Sequence, residues 1–222
     1  KYQKEGQAIK DALSKRGAWD GWYKTLSDLY PDNAHFVFEL LQNAEDANAT
    51  KVKFELKNEA LTFKHDGDRD FNADDIDSIT TIGDSKKEVN KIGKFGIGFK
   101  SVFSYTTSPK IHSKSISFKI ENLVVPSLIE AKPIEQSYST LFIFSFDRQD
   151  KLKKQAFKEI KTLFEELSDT VLLFLTNINS IEWVIRQSKP QKIIKKHEDE
   201  FIIRSGLATI KNRGSDLAKF IV

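Results

Sequence analysis

Cysteine, methionine and long apolar runs are all missing from this sequence of 222 residues. Without cysteine the chain can form neither disulfides nor thiolate metal sites. No apolar run is long enough to cross a bilayer and we recognise no signal peptide, so we expect a soluble, intracellular, cytoplasmic protein without a membrane partner. Because methionine is absent even at position 1, we expect a fragment of a longer chain.

Neither sign of charge is in large excess. Charged residues make up 30% of the sequence, yet the formal net charge is only +3, so nucleic acid is not indicated as a partner. The four histidines are scattered, which argues against a histidine metal site. Apolar residues make up 39% and include 17 phenylalanines, enough to build a hydrophobic core.

The stretch from His35 to Ala47 has the spacing of an amphipathic helix. Residues three and four apart share one helix face, and six apolar residues follow this spacing: Phe36, Val37, Leu40, Leu41, Ala44 and Ala47. Glu39, Asn43 and Asp46 form a row on another face, with Gln42 beside them. The apolar face is expected to pack on the core, with the polar row at its border. Taken alone, such a row is typical of a solvated helix face.

Alternating and helical patterns predict the other elements. The predicted strands cover 51–57, 61–65, 111–120 and 138–146, and the predicted helices cover 72–82 and 151–174. Asn48 is expected to end the first helix in a left-handed cap. Residues 125–133 contain two prolines and are expected to be irregular, and residues 17–30 are expected to form a cover with aromatic anchors.

The sequence changes character past Asn177. Short strand-like runs follow at 181–185, 191–196, 201–203 and 207–210. We therefore predict a boundary near Asn179. Residues 1–178 would form one domain with an N-terminal helical cover, and residues 179–222 would begin a second, incomplete β-rich domain.

The segment from Ile92 to Phe103 combines glycines with the start of a helix. The glycines are at 93, 96 and 98, and they allow a backbone to approach a ligand closely. Free N–H groups at the start of the helix that follows would bind an anion, above all a phosphate, with charge added by Lys94 and Lys100. The spacing fits neither a P-loop, which requires lysine where Phe99 stands, nor the dinucleotide fingerprint, which fails at Ser101.

Taken in order, these motifs resemble those of the ATPase superfamily of gyrase, heat-shock chaperones, histidine kinases and MutL (GHKL). The stretch 39–47 resembles the helix motif E-x-x-x-N-x-x-D-A, and 93–99 resembles the glycine motif of the lid. Residues 81–86 resemble the segment before the lid, and Thr140 lies where a late strand supplies a threonine to the adenine site. The amino-acid sequences of 29–47 and 93–103 are most similar to the sacsin-type branch.

This resemblance implies an α+β fold, a two-layer α/β sandwich of the Bergerat type. Its mixed, mostly antiparallel sheet would carry helices on one face. It also implies ATP and Mg²⁺ as cofactors, with Glu39 as the general base and Asn43 as the Mg²⁺ ligand. The remaining nucleotide-binding residues implied by the resemblance are Asp46, Asp66, Gly67, Gly93, Lys94, Gly96, Gly98, Phe99, Lys100 and Thr140. Residues 83–98 would form a lid.

Two positions depart from the family pattern. The adenine motif D-x-G has its acid two residues before the glycine, where this chain has His65, and Asp66 is adjacent to Gly67. Either Asp66 reads adenine after a local kink, or His65 takes part, or base selectivity is weakened; we assign the role to Asp66. No basic residue for the γ-phosphate is identified in the C-terminal part, where a solvated position is expected for each candidate: Lys195, Lys196, Arg204 and Lys211.

Three functions fit these observations. The first is slow ATP hydrolysis that drives conformational or dimerisation changes of a larger chaperone-like protein, with a nucleotide-dependent homodimer and a protein client as partners. The second is a non-catalytic, nucleotide-sensing interaction module. The third is a nucleic-acid-processing ATPase like MutL, which the small net charge does not favour.

Overall fold

The computed structural model describes residues 3–4, 6–8, 11, 36–80, 97–197, 201–206 and 217–219. The predicted cover at 17–30 and residues 83–96 of the predicted lid lie outside these ranges. The helices are α1 Phe36–Asp46, α2 Ala73–Thr80, α3 Ile97–Lys100 and α4 Lys153–Glu166, with 3-10 helices η1 Ser101–Ser104 and η2 Asp169–Phe174. The strands are β1 Lys51–Lys57, β2 Ala60–His65, β3 Lys110–Ser113, β4 Ser117–Glu121, β5 Val125–Leu128, β6 Thr140–Ser145, β7 Ser180–Ile185, β8 Gln191–His197, β9 Phe201–Gly206 and β10 Leu217–Lys219.

All ten of these strands belong to one open sheet. Their order is β10-β9-β8-β7-β1-β2-β6-β3-β4-β5. Within the described ranges β1 and β7 form the one parallel pair, and every other neighbouring pair is antiparallel. The sheet is therefore mixed and mostly antiparallel, as predicted.

The alternating sequence of β1 separates the two faces of this sheet. Val52, Phe54 and Leu56 are buried, whereas the residues between them remain partly exposed. Phe54 contacts the ring of Phe164 on α4, with centroids 5.3 Å apart, and it stacks on Phe63 of β2 at 4.6 Å. Burying each such ring contributes about 1.5–3 kcal/mol. The helices thus cover this face of the sheet, which confirms the predicted α+β two-layer fold.

Helix α1 ends in a Schellman motif. The N–H of Ala49 donates to the carbonyl of Ala44, and the N–H of Asn48 donates to that of Glu45, both at 2.9 Å. Asn48 has a φ of 58°, in the left-handed region that asparagine tolerates better than most residues. The predicted cap is confirmed. The cap turns the chain directly into β1, so the sequence Asn48-Ala49-Thr50 positions α1 against the centre of the sheet.

Two strand predictions need correction. The single strand predicted over 111–120 is a hairpin, β3 and β4, because the chain turns between Ser113 and Ser117. The segment 125–133 begins with β5 at the sheet edge, although it contains Pro126. An edge strand tolerates proline because one of its sides needs no N–H donors.

The predicted helix over 151–174 is interrupted. Helix α4 ends at Glu166, Leu167 has extended backbone angles, and the Ser168 hydroxyl accepts a hydrogen bond from the Thr170 N–H at the start of η2. Serine is a favoured N-cap residue, so it can begin a new helical turn even where the apolar period continues. The break leaves Phe174 83% exposed, although it follows Val171 by three residues, the spacing of one helix face.

The predicted boundary near Asn179 falls inside the sheet. Strand β7 pairs with β1 from Lys51 opposite Ser180 to Leu56 opposite Ile185, and β8 continues from β7. Trp183 on β7 stacks on Phe164 of α4, with centroids 6.2 Å apart. The strands that follow residue 179 therefore extend the same sheet and share its core in the described part of the chain. The change in sequence character marks the start of this β-meander.

Candidate functional site

The polar row of α1 lies beside the core, as its spacing predicts. Five of the six predicted apolar residues are buried, while Ala47 follows the end of the helix and is half-buried. Glu39, Asn43 and Gln42 are half-buried and Asp46 is exposed. The Gln42 amide donates to the Asp46 carboxylate at 3.2 Å. Glu39 and Asn43 lie one helical turn apart at the same border of the core.

Gly98 of the glycine motif lies directly against Glu39. A Cβ atom added to Gly98 would overlap the Glu39 carboxylate, so a larger residue at this position would displace that side chain. Two motifs separated by 59 positions in the sequence thus meet at one place. Gly93, Lys94 and Gly96 lie outside the described residues, and their predicted contacts with phosphate stay predictions.

Phe99 and Lys100, the other described residues of this motif, point into the protein. Phe99 is buried beside Phe142, with ring centroids 6.1 Å apart. The Lys100 ammonium donates to the carbonyl of Ile79 at 2.8 Å, near the C-terminus of α2, where a cation is favoured. Burial lowers the pKa of Lys100 to about 7. In this structure Lys100 therefore joins α3 to α2.

Gly67 closes the site at the end of β2. A Cβ atom there would meet the carbonyl oxygen of Ala47 at 2.5 Å, so glycine permits close approach of this loop to the end of α1. The Ser139 hydroxyl, just before β6, donates a hydrogen bond to the Gly67 carbonyl and so supports the turn. The loop is thus held between α1 and the segment that enters β6.

The Asp66 carboxylate is engaged with the start of β1. Its Oδ1 accepts hydrogen bonds from the N–H groups of Thr50 and Lys51 at 2.8 and 2.9 Å, and its Oδ2 accepts from the Thr50 hydroxyl at 2.6 Å. Burial alone would raise the pKa of Asp66, but these hydrogen bonds lower it below its ordinary value. The structure shows this acid as a cap of β1, and its assignment to adenine stays a prediction.

Asp66→Asn is expected to destabilise the fold by about 1 kcal/mol at pH 7, because the carboxylate accepts charge-assisted hydrogen bonds. The folded pKa of Asp66 lies below the ordinary value of 3.8, so its contribution is complete above pH 3.8 and is lost as the pH falls through the folded pKa. Urea unfolding at pH 7 and pH 3 measures both effects. Asp68→Asn, at an exposed neighbour, serves as the control. A stability difference that grows on acidification would contradict the assignment.

His65 lies on the inner face of β2, as strand alternation predicts. It is 2% exposed, packs between Phe63 and Phe142, and accepts a hydrogen bond at Nδ1 from the Gly67 N–H at 3.2 Å. Burial lowers the pKa of His65 to about 4, so the imidazole is neutral at pH 7. With Nδ1 as the acceptor, the ring proton is at Nε2.

Thr140 has a buried hydroxyl that lacks a hydrogen-bond partner within the described part of the chain. The residue begins β6, opposite His65 on one side and Ser113 on the other. A buried hydroxyl without a partner costs about 1–3 kcal/mol, so such atoms commonly mark a place where a ligand or water binds. Thr140 therefore keeps a hydrogen-bonding group available at the predicted base end of the site.

Glu45 is a buried acidic residue that the motif spacing did not single out. It is 8% exposed, and its carboxylate accepts three backbone hydrogen bonds, from Thr176 at 2.7 Å, Asn177 at 2.6 Å and Ile178 at 3.0 Å. These residues form the connection into β7. The sequence signal was its position: Glu45 follows the apolar residue Leu41 by four residues, so the two share a helix face.

Lys195 is also buried, contrary to the solvated position expected for it. It is 7% exposed and its ammonium donates to the carbonyl of Leu175 at 2.9 Å. Glu45 and Lys195 therefore hold the segment 175–178 from two sides. The side chains of Lys196, Arg204 and Lys211 lie outside the described set.

Two other features are absent from the described ranges. No group of three or more histidine, aspartate or glutamate side chains is arranged to hold a metal ion there. Among the helices that the structure describes, none combines the length and apolar character that crossing a membrane requires.

Comparison with known proteins identifies sacsin-like relatives. Residues 55–126 match the family described as Sacsin domain, a range that includes β2 and the glycine motif. The chain is 26% identical to Protein NO VEIN of Arabidopsis thaliana over 182 aligned residues, covering 69% of this chain, and 35% identical to human Sacsin over 111 residues, covering 41%. It spans only 7% and 2% of the lengths of these two relatives. The comparisons therefore support a sacsin-like family for the matched part of the chain.

Proposed function

We propose that this domain binds ATP with Mg²⁺ and hydrolyses it slowly, driving conformational or dimerisation changes in a larger chaperone-like protein. The contact of Gly98 with Glu39 is the observation that carries the proposal. It brings the end of a predicted phosphate-binding loop onto the one carboxylate of the polar row that precedes Asn43 by a helical turn. A general base and a phosphate loop need this proximity.

Asn43 supplies a side chain suited to Mg²⁺. Its amide makes no side-chain hydrogen bond to any residue in the described ranges, and its oxygen is the ligand type that Mg²⁺ prefers. Mg²⁺ commonly takes one or two protein ligands and completes its shell with water and substrate phosphates. A single amide therefore fits the absence of a carboxylate cluster among the described residues. Bound Mg²⁺ would neutralise charge on the phosphates.

The base end would be formed by Thr140 and Gly67. The Thr140 hydroxyl can donate to or accept from a ring nitrogen or exocyclic amine, and it has no described protein partner to give up. Gly67 allows a flat ring to approach the backbone beside α1. With Asp66 bonded to Thr50 and Lys51, we place base recognition on Thr140 first.

Asn43→Ala is expected to weaken Mg·ATP binding by about tenfold or more, because one metal ligand is lost. Gln42→Ala is the matched control, since it removes an amide one position earlier on the same helix. Calorimetry with ATP in the presence of Mg²⁺ and of EDTA separates metal-dependent affinity from the rest. Equal Mg²⁺-dependent affinity for the parent and Asn43→Ala would overturn the metal assignment.

A non-catalytic nucleotide sensor is the second candidate. Lys100 and Lys195 are the basic residues named above as nucleotide-site candidates whose side chains are described. Both donate to backbone carbonyls. A domain without a basic residue at the γ-phosphate would bind ATP but turn it over little. Measured turnover of the isolated domain and of the longer protein distinguishes the two candidates.

A further inference from the structure

An apolar groove lies beside α1, and Gln42, next to the polar row, is one of the residues that line it. It has a volume of about 970 Å³ and runs between α1, α4 and η2. The apolar residues that line it are Phe38, Leu41, Leu163, Leu167, Val171, Phe174 and Leu175. Phe38 and Phe174 are large apolar side chains that stay 41% and 83% exposed here, so a segment that covers them would bury apolar surface.

The interruption after α4 lies along this groove. Because the chain leaves the helix at Leu167 and restarts at Ser168, η2 presents Phe174 on the outside, where it is 83% exposed. A continuous helix would have kept the apolar stripe of 156–174 on one side, against the sheet. The broken form instead places Leu167 and Val171 along an open wall.

The sequence contains a segment with matching chemistry. Trp19, Trp22, Leu26 and Leu29 recur at three- and four-residue intervals, the spacing of one helix face, with Tyr23 and Tyr30 beside them. This segment lies outside the described residues. Its apolar side chains are large, and the tryptophans and tyrosines are aromatic like the two phenylalanines that line the groove.

The position of the segment in the chain keeps it within reach of the groove. Five residues, 31–35, separate it from the start of α1 and can span at most roughly 16–18 Å, while Phe38 of α1 already lines the groove. Connections of this length commonly join helices that lie side by side. On the N-terminal side, Gly6 is buried against the carbonyl of Val124, where an added Cβ would overlap it. The chain is thus anchored on both sides of the segment.

We propose that residues 19–30 of the same chain occupy this groove, with their aromatic side chains against η2 and α4. Tethering at Gly6 and at α1 gives the segment a high effective concentration at this surface. Docked there, it packs on the face of α1 that is next to the polar row. The proposal is independent of nucleotide binding.

Phe174→Asp is expected to release the segment and speed tryptic cleavage after Lys24 by about tenfold, because a buried phenylalanine contact is replaced by a charge. The matched control is Leu152→Asp, at another exposed apolar residue, 76% exposed, which does not line the groove. Phe174 itself is exposed among described residues, so its replacement spares the core, and circular dichroism checks this. Cleavage is followed by mass spectrometry of the 222-residue chain.

Equal cleavage after Lys24 in the parent, Phe174→Asp and Leu152→Asp would overturn the proposal. Rapid cleavage already in the parent would also overturn the proposal, because the segment would then be undocked and the groove would be open to a separate partner protein.

The cysteine-free sequence permits a second measurement. A short bismaleimide should cross-link Leu26→Cys with Leu167→Cys within one chain and should not cross-link Leu26→Cys with Leu128→Cys on β5. A product of twice the chain mass would assign the groove to a second copy and overturn the same-chain proposal.

Discussion

Replacing Glu39 by glutamine is expected to lower ATP turnover by about 10²–10⁴-fold and to leave Mg·ATP affinity unchanged. The carboxylate at this position would accept the proton of the attacking water, which an amide cannot do at neutral pH. Glutamine keeps the size and shape of the side chain that packs against Gly98, so the predicted phosphate loop keeps this contact. The loss should therefore fall on the chemical step and spare binding.

The measurements are steady-state phosphate release and calorimetric ATP affinity, both with Mg²⁺. Glu165→Gln is the control, because Glu165 is a surface carboxylate on α4 that pairs with Lys161. Turnover of Glu39→Gln at the parent rate would exclude the general-base role. Loss of affinity together with turnover would assign Glu39 to nucleotide binding. A parent domain that binds ATP without turning it over, alone or within the longer protein, would favour the nucleotide-sensor proposal.

Replacing Glu45 by alanine is expected to destabilise the fold by on the order of 3 kcal/mol. The change removes the acceptor of three N–H groups, those of Thr176, Asn177 and Ile178, which lie in a part-buried turn. Each charge-assisted hydrogen bond of this kind contributes about 1.5–3 kcal/mol, and a buried N–H left without an acceptor carries the cost of its desolvation. The effects are not additive within one network, which limits the total.

Chemical denaturation at pH 7, followed by circular dichroism, measures this loss. Asp46→Ala is the matched control on the next position of α1, where the exposed Gln42–Asp46 hydrogen bond contributes about 0.2–0.5 kcal/mol. The stability of Glu45→Gln should fall between those of Glu45→Ala and Asp46→Ala, because its amide oxygen replaces one of the two accepting oxygens. Similar stability of the Glu45→Ala and Asp46→Ala proteins would show that the 176–178 turn does not depend on this carboxylate.

The local elements were predictable because their signals are periodic and short in range. The two faces of α1, its left-handed cap at Asn48 and the alternation of β1 and β2 all follow from spacing within a dozen residues. The helix predicted over 72–82 is found as α2, beginning after Asn72, whose side chain accepts hydrogen bonds from the N–H groups of Asp74 and Asp75. In each case the residues that define the element are also those that stabilise it.

Predictions failed where a local signal competed with the period or where pairing is long in range. The apolar period of 151–174 continues through Ser168, but the serine cap at that position starts a separate turn. The position of β7 beside β1 follows from a parallel pairing between segments more than 120 residues apart. A change in sequence character near residue 179 marks a new run of strands without saying which strand it joins.

By itself, the sequence determined which residue types stand in the polar row of α1 and in the glycine motif, because both depend only on spacing along the chain. Tertiary structure alone decided what these residues, and the other polar residues near them, face. It places Gly98 on Glu39, draws Lys100 to the carbonyl of Ile79, turns Asp66 to Thr50 and gives Glu45 three N–H donors from the 176–178 turn. The physical reason is that a buried polar group must find a partner, and that partner comes from whichever segment the fold brings within hydrogen-bonding distance.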